Sequence, residues 1–308
     1  MPRGRGPFMN NGGTSTAPAP AYERLENGDV ALKQVLSRLF GASDLEGGSH
    51  DILRLAGRGD DLEELQERIQ GDPLLVALIL RRVNSPYYRL DKPAPDLATA
   101  CRLLGFDEMR NLAMTVLLSR MFREPLEVGT YSTTGLWNHS VAVATVAQLT
   151  SRVCGGAVPT EAFVAGLLHD IGYLLTCRRL PRDFSRLVDG LRIARDTPDL
   201  ERRLYKFDHA ELGAYVAAQW STPEPIVDAI RHHHHVERYG GNHRELVYVV
   251  GAANYLCSRA GWTALGVHNA ALPPNTTYEA LELDEVALGI IWRELTPTLE
   301  RSTYLAEA

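Results

Sequence analysis

The stretch from Thr160 to Cys177, TEAFVAGLLHDIGYLLTC, constrains the fold more than any other part of the chain. Apart from Glu161 near its start, every residue is apolar or small until His169 and Asp170. The segment therefore reads as a buried helix that carries an imidazole and a carboxylate in its middle. Both groups lose hydration on burial, a cost of several kcal/mol, unless they are paired, hydrogen-bonded or bound to a metal ion. A fold built on this segment must surround it with apolar elements and bring polar partners to one point.

The surroundings read as helices. VALKQVLSRLFG places Val30, Leu32, Val35, Leu36, Leu39 and Phe40 on one face and stops at Gly41. Asp60 or Asp61 caps LEELQERIQ, and Asp72 followed by Pro73 is a good start for LLVALILRRVN. After the turn NSPYYRLDKPAP, Asp96 caps LATACRLLG, Gly105 interrupts, and Asp107 opens EMRNLAMTVLLSRMF. Farther on, LWNHSVAVATVAQLTSRVCG, the opening stretch with Thr160 as its expected cap, PDLERRLYKF, DHAELGAYVAAQW, PEPIVDAIRHHHH and RELVYVVGAANYLCSRAG follow the helical period. No alternating strand pattern interrupts the first half, so an all-α architecture is expected.

Composition removes several classes. A net charge of −6 argues against a broad basic surface for nucleic acid. No apolar run approaches the roughly 18 to 20 residues of a membrane span, and residues 1–22 lack the apolar centre of a signal peptide. Rich in Gly, Pro, Ala and Asn, those residues are expected to be disordered. Cys101, Cys154, Cys177 and Cys257 form no CxxC pair, so neither a zinc ribbon nor a disulfide framework is indicated and a cytoplasmic setting is expected.

The residues with chemistry are His139, His169, Asp170, His209, His233 and His234. Imidazole nitrogen with carboxylate oxygen suits Zn, Fe, Mn or Ni. The same groups could instead satisfy one another and nearby backbone. In the run His232 to His235, successive side chains on a helix point roughly 100° apart, so at most two face one site. His50, His243 and His268 fall outside the pattern and are expected on the surface. Arg81, Arg82 and Arg89 flank NSPYY, either as a rim for a nucleotide-like phosphate or as solvated partners of a helix C-terminus.

The phrases GDPLLVALILRRVNSPYY and RLLGFDEMRNLAM resemble the HDOD family, bacterial signalling modules related to HD-domain phosphohydrolases, with the match running from about Ala31 to Ala264. The resemblance implies two packed helical subdomains, the second HD-like. On that basis we expect a tail over 1–22, an N-terminal bundle over 23–128, an HD-like subdomain over 129–266, and a linker with an amphipathic helix over 267–308. It also implies that His139, His169, Asp170, His209, His233 and His234 form the inherited metal site. The chain departs from the hydrolases in three places: Asn254 stands for the closing Asp, Tyr173 for a Lys after the doublet, and VERYGGNH for the GYP signature. With one carboxylate fewer, one divalent transition ion or none is expected.

The implied function is a regulatory module without turnover that binds signalling proteins or a nucleotide-like ligand, with no membrane or nucleic-acid partner. The alternative is a metal-dependent phosphohydrolase with His169 and Asp170 at its catalytic centre. Beyond Pro273 and Pro274, the segment Glu285 to Leu295, apolar through Val286, Leu288, Ile290, Ile291 and Trp292, is expected to dock in cis.

Overall fold

The computed structural model describes residues 61–191, 193, 196–268 and 272–306. The expected tail over 1–22 and the helix from Val30 to Phe40 lie outside the described residues. Within them the protein is all-α apart from one hairpin. Helices α1 (Leu62–Gln70), α2 (Pro73–Val83) and α3 (Leu97–Met121) pack on one another. Asp61, Asp72 and Asp96 cap them, each accepting from backbone N–H groups of the first turn. Gly105 leaves the helical region inside α3, at φ 76° and ψ 177°, so the break expected there appears as a kink. The intervening NSPYY turn is clasped by Asn84, whose amide accepts from the Ala94 N–H (2.7 Å) and donates to the Ala94 carbonyl (3.0 Å).

A two-residue-per-strand antiparallel hairpin, β1 (Glu127–Val128) and β2 (Tyr131–Ser132), leads into α4 (Thr133–Cys154). There follow α5 (Pro159–Leu168), α6 (Ile171–Arg179), α7 (Pro181–Gly190), α8 (Thr197–Tyr205), α9 (His209–Gln219), α10 (Glu224–His232), α11 (Arg244–Arg259), α12 (Asn275–Ala280) and α13 (Glu285–Ala306). Helix α4 is the hub, packing against α5, α11 and α13. Its contact with α5 is close because Gly166 has no side chain: a Cβ there would lie 2.8 Å from the Ala144 Cα.

Three expectations change. Thr160 is not the cap of α5, which begins one residue earlier at Pro159 after Val158, with no side-chain cap. Arg82 is not part of an exposed rim; it is 2 % exposed and donates from Nε to the Leu305 carbonyl at 3.0 Å, while Arg81 and Arg89 are exposed. Trp137 donates from Nε1 to the Ala306 carbonyl at 2.8 Å, so α2 and α4 together hold the last carbonyls of α13. The C-terminal segment docks in cis only in part. Ile291, Leu295, Leu299 and Leu305 are buried, whereas Val286 and Trp292 remain 69 % and 68 % exposed.

Candidate metal centre

His169 and Asp170 do not sit in the middle of one helix. Helix α5 ends at Leu168, Asp170 leaves the helical region at φ −108° and ψ 12°, and α6 starts at Ile171. The joint has a geometric use. Adjacent residues of a straight helix point roughly 100° apart, and the break lets both side chains approach the same centre. Gly172 then permits α9 to press against α6: a Cβ at Gly172 would lie 2.8 Å from both the Cα and the carbonyl carbon of His209, and closer still to its oxygen.

All six residues expected at the site come together, arriving from α4 (His139), the α5–α6 joint, the first residue of α9 (His209) and the end of α10 (His233, His234). His169 and His209 are fully buried, and His139, Asp170 and His233 are nearly so. The carboxylate of Asp170 faces two groups. Its Oδ2 lies 3.3 Å from His139 Nε2 and 3.2 Å from His169 Nε2; its Oδ1 lies 3.3 Å from His209 Nε2 and 3.5 Å from His233 Nε2. His234 Nε2 is 2.8 Å from His209 Nε2. Of the four consecutive histidines, His233 and His234 face the cluster, while His232 packs on the Tyr239 ring and His235 lies 3.8 Å from Glu237.

Backbone carbonyls and one carboxylate set the tautomers. Nδ1 of His139 donates to the Trp262 carbonyl (2.8 Å), Nδ1 of His169 to the Gly166 carbonyl (2.7 Å) and Nδ1 of His233 to the Ile230 carbonyl (2.7 Å). Nδ1 of His209 faces Glu201 Oε2 at 2.5 Å. In the neutral ring a donating Nδ1 leaves Nε2 as a lone pair. In their neutral forms His139 and His169 thus present two lone pairs 3.2 Å apart, beside a carboxylate oxygen. Three acceptors converging without a proton between them repel one another and suit a cation.

Burial holds the His169 imidazole down to about 4, so it is neutral near pH 7. Asp170 is held well below the usual carboxylate range: burial alone would raise it, and His169, His139 and His209 outweigh that whenever a proton sits on the Nε2 atoms that face it. Burial also opposes a charge on His209, but Glu201 and Asp170 raise it to about 10, whereas burial and the neighbouring His233 and His209 push His234 well down. Without an ion, a proton on His209 can therefore separate it from His234. Asp170 Oδ1 and His233 Nε2 are buried without a hydrogen-bond partner, although each lies within 3.5 Å of the other. Both residues belong to a group, with His209 and His234, whose ligand atoms all lie within 4.8 Å of one another. By this test the donor set fits a divalent ion of the Zn, Fe, Mn or Ni type.

Two cavities border the cluster. One of about 350 Å³ opens at His233 and His234 and is lined also by Asp196, Glu237 and the linker residues Leu272 to Pro274. Another of about 240 Å³ opens at His139, beside Asn138, Thr130 and Trp262. Tyr173 fills the flank, its ring stacked on His209 with centroids 3.9 Å apart and planes 17° from parallel.

The helical architecture, the doublet at a helix joint and the histidines around it coincide with a match to the HDOD domain model over residues 52–236. The chain belongs to the HDOD family. Among solved structures it is similar to an HDOD domain protein of unknown function from Geobacter sulfurreducens, with 25 % identity, a TM-score of 0.71, and coverage of 91 % of this chain and 99 % of that one. It is also similar in fold to a protein from Marinobacter aquaeolei VT8 for which a signal-transduction role is suggested (22 % identity, TM-score 0.73, covering 89 % of this chain and 63 % of that one). An uncharacterized protein from Treponema pallidum (strain Nichols) is 26 % identical over 196 residues. That match covers 63 % of this chain and 37 % of the relative, so the HDOD chain spans little more than a third of the curated protein it matches.

Two groups of this HDOD chain's site escape sequence reasoning. Glu201 reads as one of several charges in PDLERRLYKF, yet it is fully buried beside His209. The Trp262 carbonyl that orients His139 has no side-chain signature at all. His243, expected on the surface, is instead half-buried, its Nδ1 2.9 Å from Asp228 Oδ2, which also accepts from the Tyr239 hydroxyl at 2.6 Å.

Proposed function

We propose that this HDOD chain is a regulatory signalling module that works by binding rather than by turnover, with His139, His169, Asp170, His209, His233 and His234 holding a divalent ion as a buried structural and sensory centre. The observation that carries this reading is the lining of the two cavities beside the cluster. Neither has a Lys or Arg among its described lining residues, and the larger one presents the carboxylates of Asp196 and Glu237. A transferring phosphoryl group needs cationic or donor groups around its oxygens in addition to a metal. Acidic residues in that lining disfavour such a substrate. Tyr173, which takes the place of the Lys found after the doublet in related hydrolases, lies flat on His209 and supplies packing where a cation would supply charge.

A bound ion would act as a Lewis acid and a charge anchor at the cluster. The chain's own residues contribute fixed tautomers, exclusion of water and a rigid joint between α5 and α6. Signalling proteins are the proposed partners, and changes at the centre would reach them through the helices that supply its ligands.

The test is metal analysis of protein purified without a His-tag, combined with hydrolysis assays on a generic phosphodiester and on cyclic dinucleotides. Stoichiometric ion without turnover supports the proposal. Turnover that disappears in a folded Asp170→Ala variant would overturn it in favour of the phosphohydrolase. A parent protein without metal, together with loss of folding in Asp170→Ala, would reduce the cluster to a purely structural polar centre.

A further inference from the structure

The six residues of the cluster include one anionic side chain, Asp170. A divalent ion buried with a single carboxylate would keep an uncompensated positive charge in an apolar interior. Glu201 bears on that deficit. It lies on α8, outside the inherited ligand set; its side chain is 0 % exposed, and its Oε2 is 2.5 Å from His209 Nδ1 and 3.3 Å from the His209 backbone N–H. Two contacts to one residue fix both the position and the ring orientation of His209. Its other oxygen, Oε1, is buried without a hydrogen-bond partner.

We propose that Glu201 is the positioning residue of the centre, holding the Nδ1 proton of His209 so that Nε2 is offered as a ligand, and supplying the second negative charge that one divalent ion requires. This rests on the metal-binding reading above. A carboxylate behind a histidine ligand makes the imidazole more basic and locks its tautomer. Among the six cluster residues the other three histidines whose Nδ1 partner is given rely on neutral carbonyls, so Glu201 is the group there that adds charge as well as orientation. With Asp170 it brings the formal charge of the carboxylates to −2, matching one ion.

The experiment is a Co²⁺ titration of the full-length, untagged protein, followed by the visible absorption of the bound ion and by thermal unfolding with and without Co²⁺. Glu201→Gln keeps the shape and an acceptor for Nδ1–H but removes the charge; Glu201→Ala removes both. Expected is a loss of Co²⁺ affinity of about tenfold for Glu201→Gln and nearer a hundredfold for Glu201→Ala, with a changed visible spectrum. The metal-free Tm of Glu201→Gln should stay at or above that of the parent. A merely structural Glu201 would give the opposite pattern, a lowered metal-free Tm with unchanged affinity and spectrum, and that overturns the proposal. If Glu201→Ala does not fold, Glu201→Gln alone decides. A parent protein that takes up no Co²⁺ overturns the metal-binding reading and this one with it, whereas equal uptake by parent and variants overturns only the role of Glu201.

Discussion

Replacing Gly172 by alanine tests how the joint after the doublet positions the cluster. The added methyl would sit 2.8 Å from the Cα and carbonyl carbon of His209 and nearer still to its oxygen. Carbon atoms pack best at about 3.5–4.0 Å, so the overlap amounts to an ångström or so. All three obstructing atoms are backbone, and they open α9, whose Asp208 cap and Glu211 form a reciprocal pair of hydrogen bonds. No side chain can swing aside; α6 and α9 must separate. Overpacking of this kind costs about 1–3 kcal/mol, and with backbone on one side the upper figure applies. For a chain of this size about 3 kcal/mol corresponds to a drop in Tm of roughly 5 °C. His209 would move with its helix, so ion affinity should fall as well. Urea unfolding and Co²⁺ titration measure the two effects. A Gly172→Ala variant within about 0.5 kcal/mol of the parent, with unchanged ion affinity, would refute the close-approach argument.

Arg82→Ala removes the buried donor to the Leu305 carbonyl and should lower unfolding stability by about 1.5–3 kcal/mol, with earlier proteolytic cleavage within α13. Asp72 caps α2 through the Leu75 N–H and pairs with Arg120 at 2.8 Å, so Asp72→Ala should cost about 1–2 kcal/mol, mostly from the cap because the ion pair is partly solvated. The hydrogen bond from Arg120 holds the Asp72 carboxyl below its ordinary value. Its contribution is therefore complete above the unfolded value of about 3.9 and is lost as pH falls through the folded one, so parent and variant should converge in acid denaturation curves. Trp292→Ala, on the exposed side of α13, should leave stability within about 0.5 kcal/mol by urea unfolding.

The helices were legible because their signals are local. Asp61, Asp72 and Asp96 cap where the sequence places them, and Gly105 interrupts α3 as expected. The cluster was legible through its doublet and through resemblance, since three separate elements supply the remaining donors. Glu201 was not, because a glutamate amid Arg202 and Arg203 has the pattern of a solvated face, and only the packing of α8 beside the start of α9 buries it. Arg82 was misread for the same reason. Two adjacent arginines at a helix end look equivalent in sequence, yet Arg81 is exposed and Arg82 meets a carbonyl 223 residues away. The break at Asp170 had no sequence signal either, since neither Gly nor Pro separates α5 from α6.

The hold of Arg82 and Trp137 on the last carbonyls of α13 orders events in time. Chains emerge from the ribosome at about 5–20 residues per second, so the 223 residues between Arg82 and Leu305 correspond to roughly 10–45 s of synthesis. Helices α1 to α3, whose caps and contacts are local, can form during that interval. The bonds to α13 cannot, because their acceptors do not yet exist. The final turn of α13 is thus a late fastening that joins two groups of helices built earlier, and the nascent chain must keep the surfaces it will cover from pairing with anything else until then.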